Sequence, residues 1–308
     1  MLQVPLKRRR PQAFAAQLVL LCAPLLVGFG PFRPAGLGAA SLGMADAVMA
    51  CGSGVPALYA NPSGLAQVPR HTFDGGFVRN PLAGASSLHV GSVDATSSWG
   101  LSGGIGYSYD VNWGLGAPMR QAHDVRMGLA ASLDSEAGRI LLGASSRYMN
   151  ADLLGVNARN VSGWTTDFGV TVATGGLRFG AVLYNGLRVS GLEEETAVAP
   201  RRVGVAAGYA GEHAIAEANG TWGLDSGSGA VYRAGFGYQL GEDGLQLRSG
   251  YAYDHAQELL VGKHLLSAGL SWRTSRVSVD VSGAVNLAQS QEWLLGLGVT
   301  IVVPYDLN

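Results

Sequence analysis

The segment Tyr232–Leu240, "YRAGFGYQL", alternates without a break. Tyr232, Ala234, Phe236, Tyr238 and Leu240 share one face, and Arg233, Gly235, Gly237 and Gln239 share the other. A period of two is the signature of an extended strand with unlike faces. The pattern recurs in Trp293, Leu295, Leu297, Val299, Ile301 and Val303, and in Val277, Val279 and Val281 set against Ser278, Asp280 and Ser282. Segments of this kind predict about fourteen strands. They fall near 71–79, 87–96, 99–110, 124–135, 139–151, 163–174, 177–186, 201–210, 213–223, 229–240, 245–254, 264–274, 275–286 and 293–304.

Connection lengths alternate as well. Ser135–Gly138, Gly175-Gly176, Gly211-Glu212 and Thr274-Ser275 are short, whereas Val111–His123, Ala151–Ser162, Leu187–Pro200 and His255–Lys263 are long. Short turns at one end and longer loops at the other mark an outer-membrane β-barrel, with short turns and both termini in the periplasm. A secreted sandwich or propeller shares the period. Aromatics near strand ends (Tyr107, Tyr109, Trp164, Tyr251, Tyr253, Trp272, Trp293) favour the membrane, because they suit interfacial girdles. The second face, mostly Gly, Ser, Thr and Arg, would also make a poor dry core. The expected fold is therefore all-β: a transmembrane antiparallel barrel of about fourteen strands with a short, partly helical N-terminal hatch.

Composition agrees. Charged residues make up 14% of 308 residues, against about 25% in a soluble domain. A net charge of -1 gives no electrostatic footprint for nucleic acid. Lys7-Arg8-Arg9-Arg10 followed by the apolar run Ala13–Gly30 reads as a secretory signal peptide within 1–35, with cleavage near Gly28 and Gly30 or nearer Ala35–Ala40. Cys22 belongs to that segment, which leaves Cys51 alone. No later run has the length of a spanning helix.

With the apolar face toward lipid, alternation turns Arg126, Arg147, Arg178, Arg202, Arg233, Arg248 and Arg273 into the lumen, along with Asp167, Glu217 and Asp280. An arginine on the lipid face near mid-bilayer would cost about 2–4 kcal/mol. These charges suit an ion-pair network that braces the wall and a plug; a conduit attracting anions is the sharper alternative. No catalytic constellation stands out. The six histidines lack metal-ligand spacing, and His264 and Ser267 fall on opposite faces. No cofactor is expected.

Between signal and barrel lies 36–70, which contains "GMADAV" and then "ALYANPSGLA". A short helix is expected over Ser41–Ala50, a break at Gly52–Val55 and a second helical turn from Pro56 to Tyr59. Asn61-Pro62 should end that turn, because a residue before proline avoids the α region. A segment too apolar for a free tail and too short for a domain has its place inside the barrel mouth. These motifs resemble the N-terminal hatch of the outer-membrane long-chain fatty-acid transporter (FadL-like) family and its smaller PorV-like relatives, whose usual form is "ALYWNPAGLA" ahead of a fourteen-stranded barrel. The resemblance implies that Tyr59, Asn61, Pro62, Ser63 and Gly64 form a hatch turn closing the lumen. It also implies that a hydrophobic, fatty-acid-like ligand passes from outside, across a shifting hatch and sideways into membrane lipid. This chain has Ser63 where Ala is usual, shorter loops, and a C-terminus without a terminal aromatic, Tyr305 being the nearest. Those departures keep open a PorV-like, secretion-associated scaffold with envelope protein partners, and more remotely an open porin.

Overall fold

A computed structural model describes residues 37–303, apart from 82–83, 98, 113–118, 154–158, 190, 193–198, 226–228, 242–243, 256–262 and 289–292. The signal-peptide segment, Cys22, the Glu193–Glu195 run and Tyr305 lie outside the described residues.

Fourteen antiparallel strands close into one barrel. They are β1 (His71–Asn80), β2 (Ala85–Asp94), β3 (Leu101–Asn112), β4 (Met119–Ser135), β5 (Gly138–Leu153), β6 (Asn160–Thr174) and β7 (Leu177–Val189), then β8 (Arg202–Ala210), β9 (Ala214–Gly223), β10 (Ala230–Leu240), β11 (Leu245–His255), β12 (Lys263–Arg273), β13 (Val277–Asn286) and β14 (Trp293–Val303). Each strand pairs with its chain neighbours, and β1 meets β14 with His71 opposite Val303. Closure leaves no edge, so ladder N–H and C=O groups find partners without water. Both termini of the barrel lie at one end, called here the near end.

Each expected strand is present. β4 and β5 reach further than the apolar alternation suggested, beginning at Met119 and ending at Leu153. Ladder pairing of Met119 with Leu153 and of Gln121 with Asp152 continues past the apolar band, so hydropathy did not mark it. The link from β2 to β3 is conversely longer than Ser97-Ser98, because β2 stops at Asp94 and β3 begins at Leu101.

The outer surface is apolar: Leu129 is 72% exposed, and Phe73, Ile105, Phe179, Phe236 and Leu297 are exposed alongside it. Water would penalise so wide a band of bare side chains; lipid does not. Among the described residues no helix is long and apolar enough to cross a membrane, which does not bear on strands. Two irregularities interrupt the wall among the described residues, one in the β4–β5 ladder between Met119 and Gln121 and one in β7. β7 carries extra residues opposite β6, between the pairs Phe168–Leu183 and Thr166–Leu187, with Asn185 at φ 52. This is a bulge of the kind that breaks a ladder locally.

The hatch lies inside. Its first helix, α1, spans only Gly38–Leu42, not Ser41–Ala50, because Ala45 and Asp46 take φ of 51 and 62. Positive φ at two consecutive non-glycine residues ends helical progress. The second helix, α2, is Ala57–Ala60, with Pro56 at its N-cap. Asn61 is extended at φ -165, and a 3-10 helix follows over Pro62–Ala66. The turn chemistry of Asn61–Gly64 therefore starts a helix against the wall.

Candidate functional site

The hatch has no sheet partners, so its backbone polar groups need other ones. Wall side chains supply them. Glu217 on β9 accepts from three consecutive amides: Met49 N–H to Oε1 at 2.5 Å, and Ala50 and Cys51 N–H to Oε2 at 2.9 and 2.8 Å. Asn219 donates to the same carboxylate at 2.9 Å. The Leu58 carbonyl accepts from Arg126 (3.3 Å) and Ser145 (3.4 Å), and the Ala60 carbonyl from the Tyr184 hydroxyl (2.5 Å). Ser282 binds the Ala39 carbonyl at 2.7 Å and Ser267 the Gly43 carbonyl at 3.2 Å. Polar clamps thus hold the hatch from β4 round to β13.

The "ANPSGL" turn makes its own set. The Asn61 side chain accepts from Ser63 N–H (3.2 Å) as an N-cap, and Pro62 occupies the first position, where no amide is needed. Asn61 also donates to Thr171 Oγ1 of β6 at 3.2 Å. The Ser63 hydroxyl lies 2.8 Å from both Asn61 Oδ1 and Thr171 Oγ1. Serine in place of the usual alanine therefore adds a wall contact. Tyr59 is 1% exposed, with the Arg126 guanidinium 4.7 Å over its ring, a cation–π contact. Burial, with Asp124 next in effect, raises its phenol well above the ordinary range. Gly64 packs so closely that an added Cβ would lie 3.0 Å from Ala57 Cβ and overlap the Gly52 carbonyl oxygen.

Between the clamps, hatch and wall meet across glycines. A Cβ at Gly143 would overlap the Pro62 carbonyl carbon and the Ser63 nitrogen, and one at Gly169 the Asn61 side-chain oxygen. One at Gly250 would sit 2.5 Å from Ala45 N, and one at Gly208 2.5 Å from Cys51 Sγ. A Cβ at Gly128 would meet Leu58 and Leu65 at 2.7 and 2.9 Å, and one at Gly43 would lie 3.1 Å from the Gly269 Cα. These inward glycines are the seat into which the hatch fits. The signal available was glycine repeated on the inward face, as in Gly104 and Gly106 or Gly235 and Gly237. What it faced was not visible.

The inward charges do not act as one set. Arg126, Arg147, Asp124 and Asp167 form a buried network: Arg126–Asp167 at 2.9 Å, Arg126–Asp124 at 3.4 Å and Arg147–Asp124 at 2.5 Å. Asp124 is 0% exposed and was missed, although alternation puts it inward beside Arg126. Asp167 also accepts from the Asn185 amide in the β7 bulge (2.7 Å), tying that bulge to the Arg126 pair. Arg248 pairs with Asp280 at 2.7 Å. Arg178 and Arg273 serve the near end, on the Gly175 and Leu177 carbonyls and on the Gln239 side chain. Arg202 and Arg233 make no hydrogen bond or ion pair among the described residues. Bracing therefore describes part of the set, and Glu217 braces the hatch itself and pairs with no arginine.

His264 lies with Tyr251 on the outer face (2.6 Å) while Ser267 points inward. Among the described residues no cluster of three His, Cys, Asp or Glu could hold a metal. Burial, then the Glu217 charge, push the Cys51 thiol up to about 12, so it stays protonated.

No protein-family model and no curated protein matches the chain. Solved structures do. The CymD monoaromatic hydrocarbon channel superposes with a TM-score of 0.66 at 13% identity, covering 89% of this chain and 99% of that one. The Ralstonia pickettii toluene transporter TbuX gives 0.57 at 13%, covering 88% and 98%, and the P. putida toluene transporter TodX gives 0.56 at 12%, covering 90% and 100%. Likeness at such low identity shows a shared fold.

Proposed function

We propose that the chain is a bacterial outer-membrane channel for hydrophobic small molecules, closed at rest by residues 36–70 and opened when that hatch shifts within the barrel of 71–308. Tyr59, Asn61, Pro62, Ser63 and Gly64 are the hatch residues that hold the closed state. The observation that carries this reading is a hatch clamped by side chains and seated on glycines across most of the barrel. A bracing element alone needs no such complete seat, and an open porin needs no hatch. The fold shared with structures described as hydrocarbon channels and toluene transporters supports the ligand class. The "ALYANPSGLA" resemblance adds fatty-acid-like molecules to it. The near end then faces the periplasm, and no covalent step is involved.

A ligand opens such a barrel only by its preference for the shifted hatch over the seated one. Liposomes carrying the protein should therefore take up labelled fatty acid or toluene faster than empty liposomes do. Equal rates would sink the transport reading. A protein partner recovered in place of uptake would favour the secretion-associated scaffold.

A further inference from the structure

β7 runs from the near end to the opposite, far end, and beyond Tyr184 the way it is held changes. The β7–β8 ladder stops at the pair Tyr184–Arg202. On the other side Tyr184, Asn185 and Gly186 pair with no residue of β6, and that ladder resumes at Leu187. Asn185 takes φ 52, a conformation asparagine adopts more readily than most residues. A wall alone needs neither the broken ladder nor the positive φ, and such features persist where surrounding contacts hold them.

Two sets of contacts converge on this bulge. Toward the hatch, the Tyr184 hydroxyl donates to the Ala60 carbonyl, and the Asn185 amide to Asp167. The other oxygen of Asp167 takes Arg126 at 2.9 Å, and Arg126 reaches the Leu58 carbonyl at 3.3 Å. Toward the far mouth, the Asn185 side-chain amide donates to the Pro200 carbonyl at 2.8 Å, and Arg188 to the Ala199 carbonyl at 3.1 Å. Asp225 pins the same segment from β9's far end. It accepts from the Arg201 amide at 2.7 Å, from the Arg201 side chain at 3.1 Å and from Arg188 at 3.2 Å. Asp225 bonds to no hatch residue among those described, yet a continuous path leads from it through Arg201, Pro200, Asn185, Asp167 and Arg126 to the hatch.

We propose that Asn185 is a positioning residue that couples the far mouth to the hatch. Residues 199–201 docked on β7 and Asp225 favour the seated hatch, and a hydrophobic molecule that loosens them favours its release. Such a molecule has a place to act. Leu192, in the same connection and 0% exposed, packs with Ala122, Met149, Ala151 and Val161, so an arriving apolar group competes with it for that surface. The difference in affinity between docked and loosened states is what a ligand needs to shift the equilibrium. The inference rests on the hatch-gating reading and adds where its trigger lies.

Cys51 reports on the hatch, because its seated thiol is 7% exposed and reacts only when the hatch opens. The test follows alkylation of Cys51 by N-ethylmaleimide, mapped by peptide mass, in the full chain in nanodiscs. Asp225→Ala should raise the rate about fivefold or more. Asn185→Gly keeps the positive φ and the amide to Asp167 but drops the link to Pro200, and it should raise the rate as much. The double variant should match the single ones, since both cut one path. Wild-type alkylation in Asp225→Ala, with the folded barrel confirmed by electrophoretic mobility before and after heating, would overturn the coupling. So would two effects that multiply in the double variant. Coupling found in a protein whose liposomes take up no ligand would fall on the transport reading alone.

Discussion

Valine in place of Gly143 should unseat the hatch and make a silent barrel conduct. The side chain would start inside the Pro62–Ser63 peptide, which is backbone and cannot rotate away as a side chain could. Either β5 or the hatch must yield. β5 is bonded along its length to β4 and to β6, whereas the hatch is held by scattered side-chain contacts. Overpacking costs of about 1–3 kcal/mol therefore fall on the hatch. In planar bilayers the wild type should be nearly silent and the variant should pass steady current. Electrophoretic mobility before and after heating should show the same folded barrel for both. A folded variant that stays silent would mean that the seat does not close the lumen.

Removing the Glu217 carboxylate should have an effect of similar size by a different route. Glu217→Ala strips the acceptor from three buried amides at Met49, Ala50 and Cys51. Each donor left unsatisfied costs about 1–3 kcal/mol, and all three lie in the hatch. Released into the lumen they would find water, so the seated state loses stability while the barrel ladders do not. Glu217→Gln keeps one acceptor oxygen and should fall between the two. Conductance and proteolysis of the hatch read the same event: Ala above Gln above wild type in both. Wild-type silence and protection in Glu217→Ala would remove the clamp from the account.

The barrel was legible because a lipid-facing wall has strict demands. One residue of slip would turn Arg126, Asp167 and Asp280 toward lipid, so alternation fixed both the strands and their register. The hatch was legible only in part. Asn61-Pro62 marked the end of α2, and its capping chemistry was present in the residues. The path through Ala45 and Asp46 was not, since positive φ there is imposed by the seat and not by residue type. Nor could sequence show that Glu217 faces three hatch amides, because residues 49–51 and 217 meet only after the barrel closes. The β7 bulge was hidden for a related reason: Tyr184 answers to Ala60 of the hatch and Asn185 to Asp167 on the neighbouring strand, contacts that leave no mark on local periodicity.

A hatch that gates the lumen must move for a ligand to pass. Gly208→Cys tests it with the partner already present, because a Cβ at 208 would lie 2.5 Å from the Sγ of Cys51, near bonding reach for a disulfide. The buried, protonated Cys51 thiol reacts poorly once seated, so the bond is best formed during oxidative refolding. In liposomes the oxidised variant should take up labelled hydrophobic ligand no faster than empty vesicles, and reduction should restore uptake to the wild-type rate. Full uptake by the oxidised, tethered protein would contradict a moving hatch.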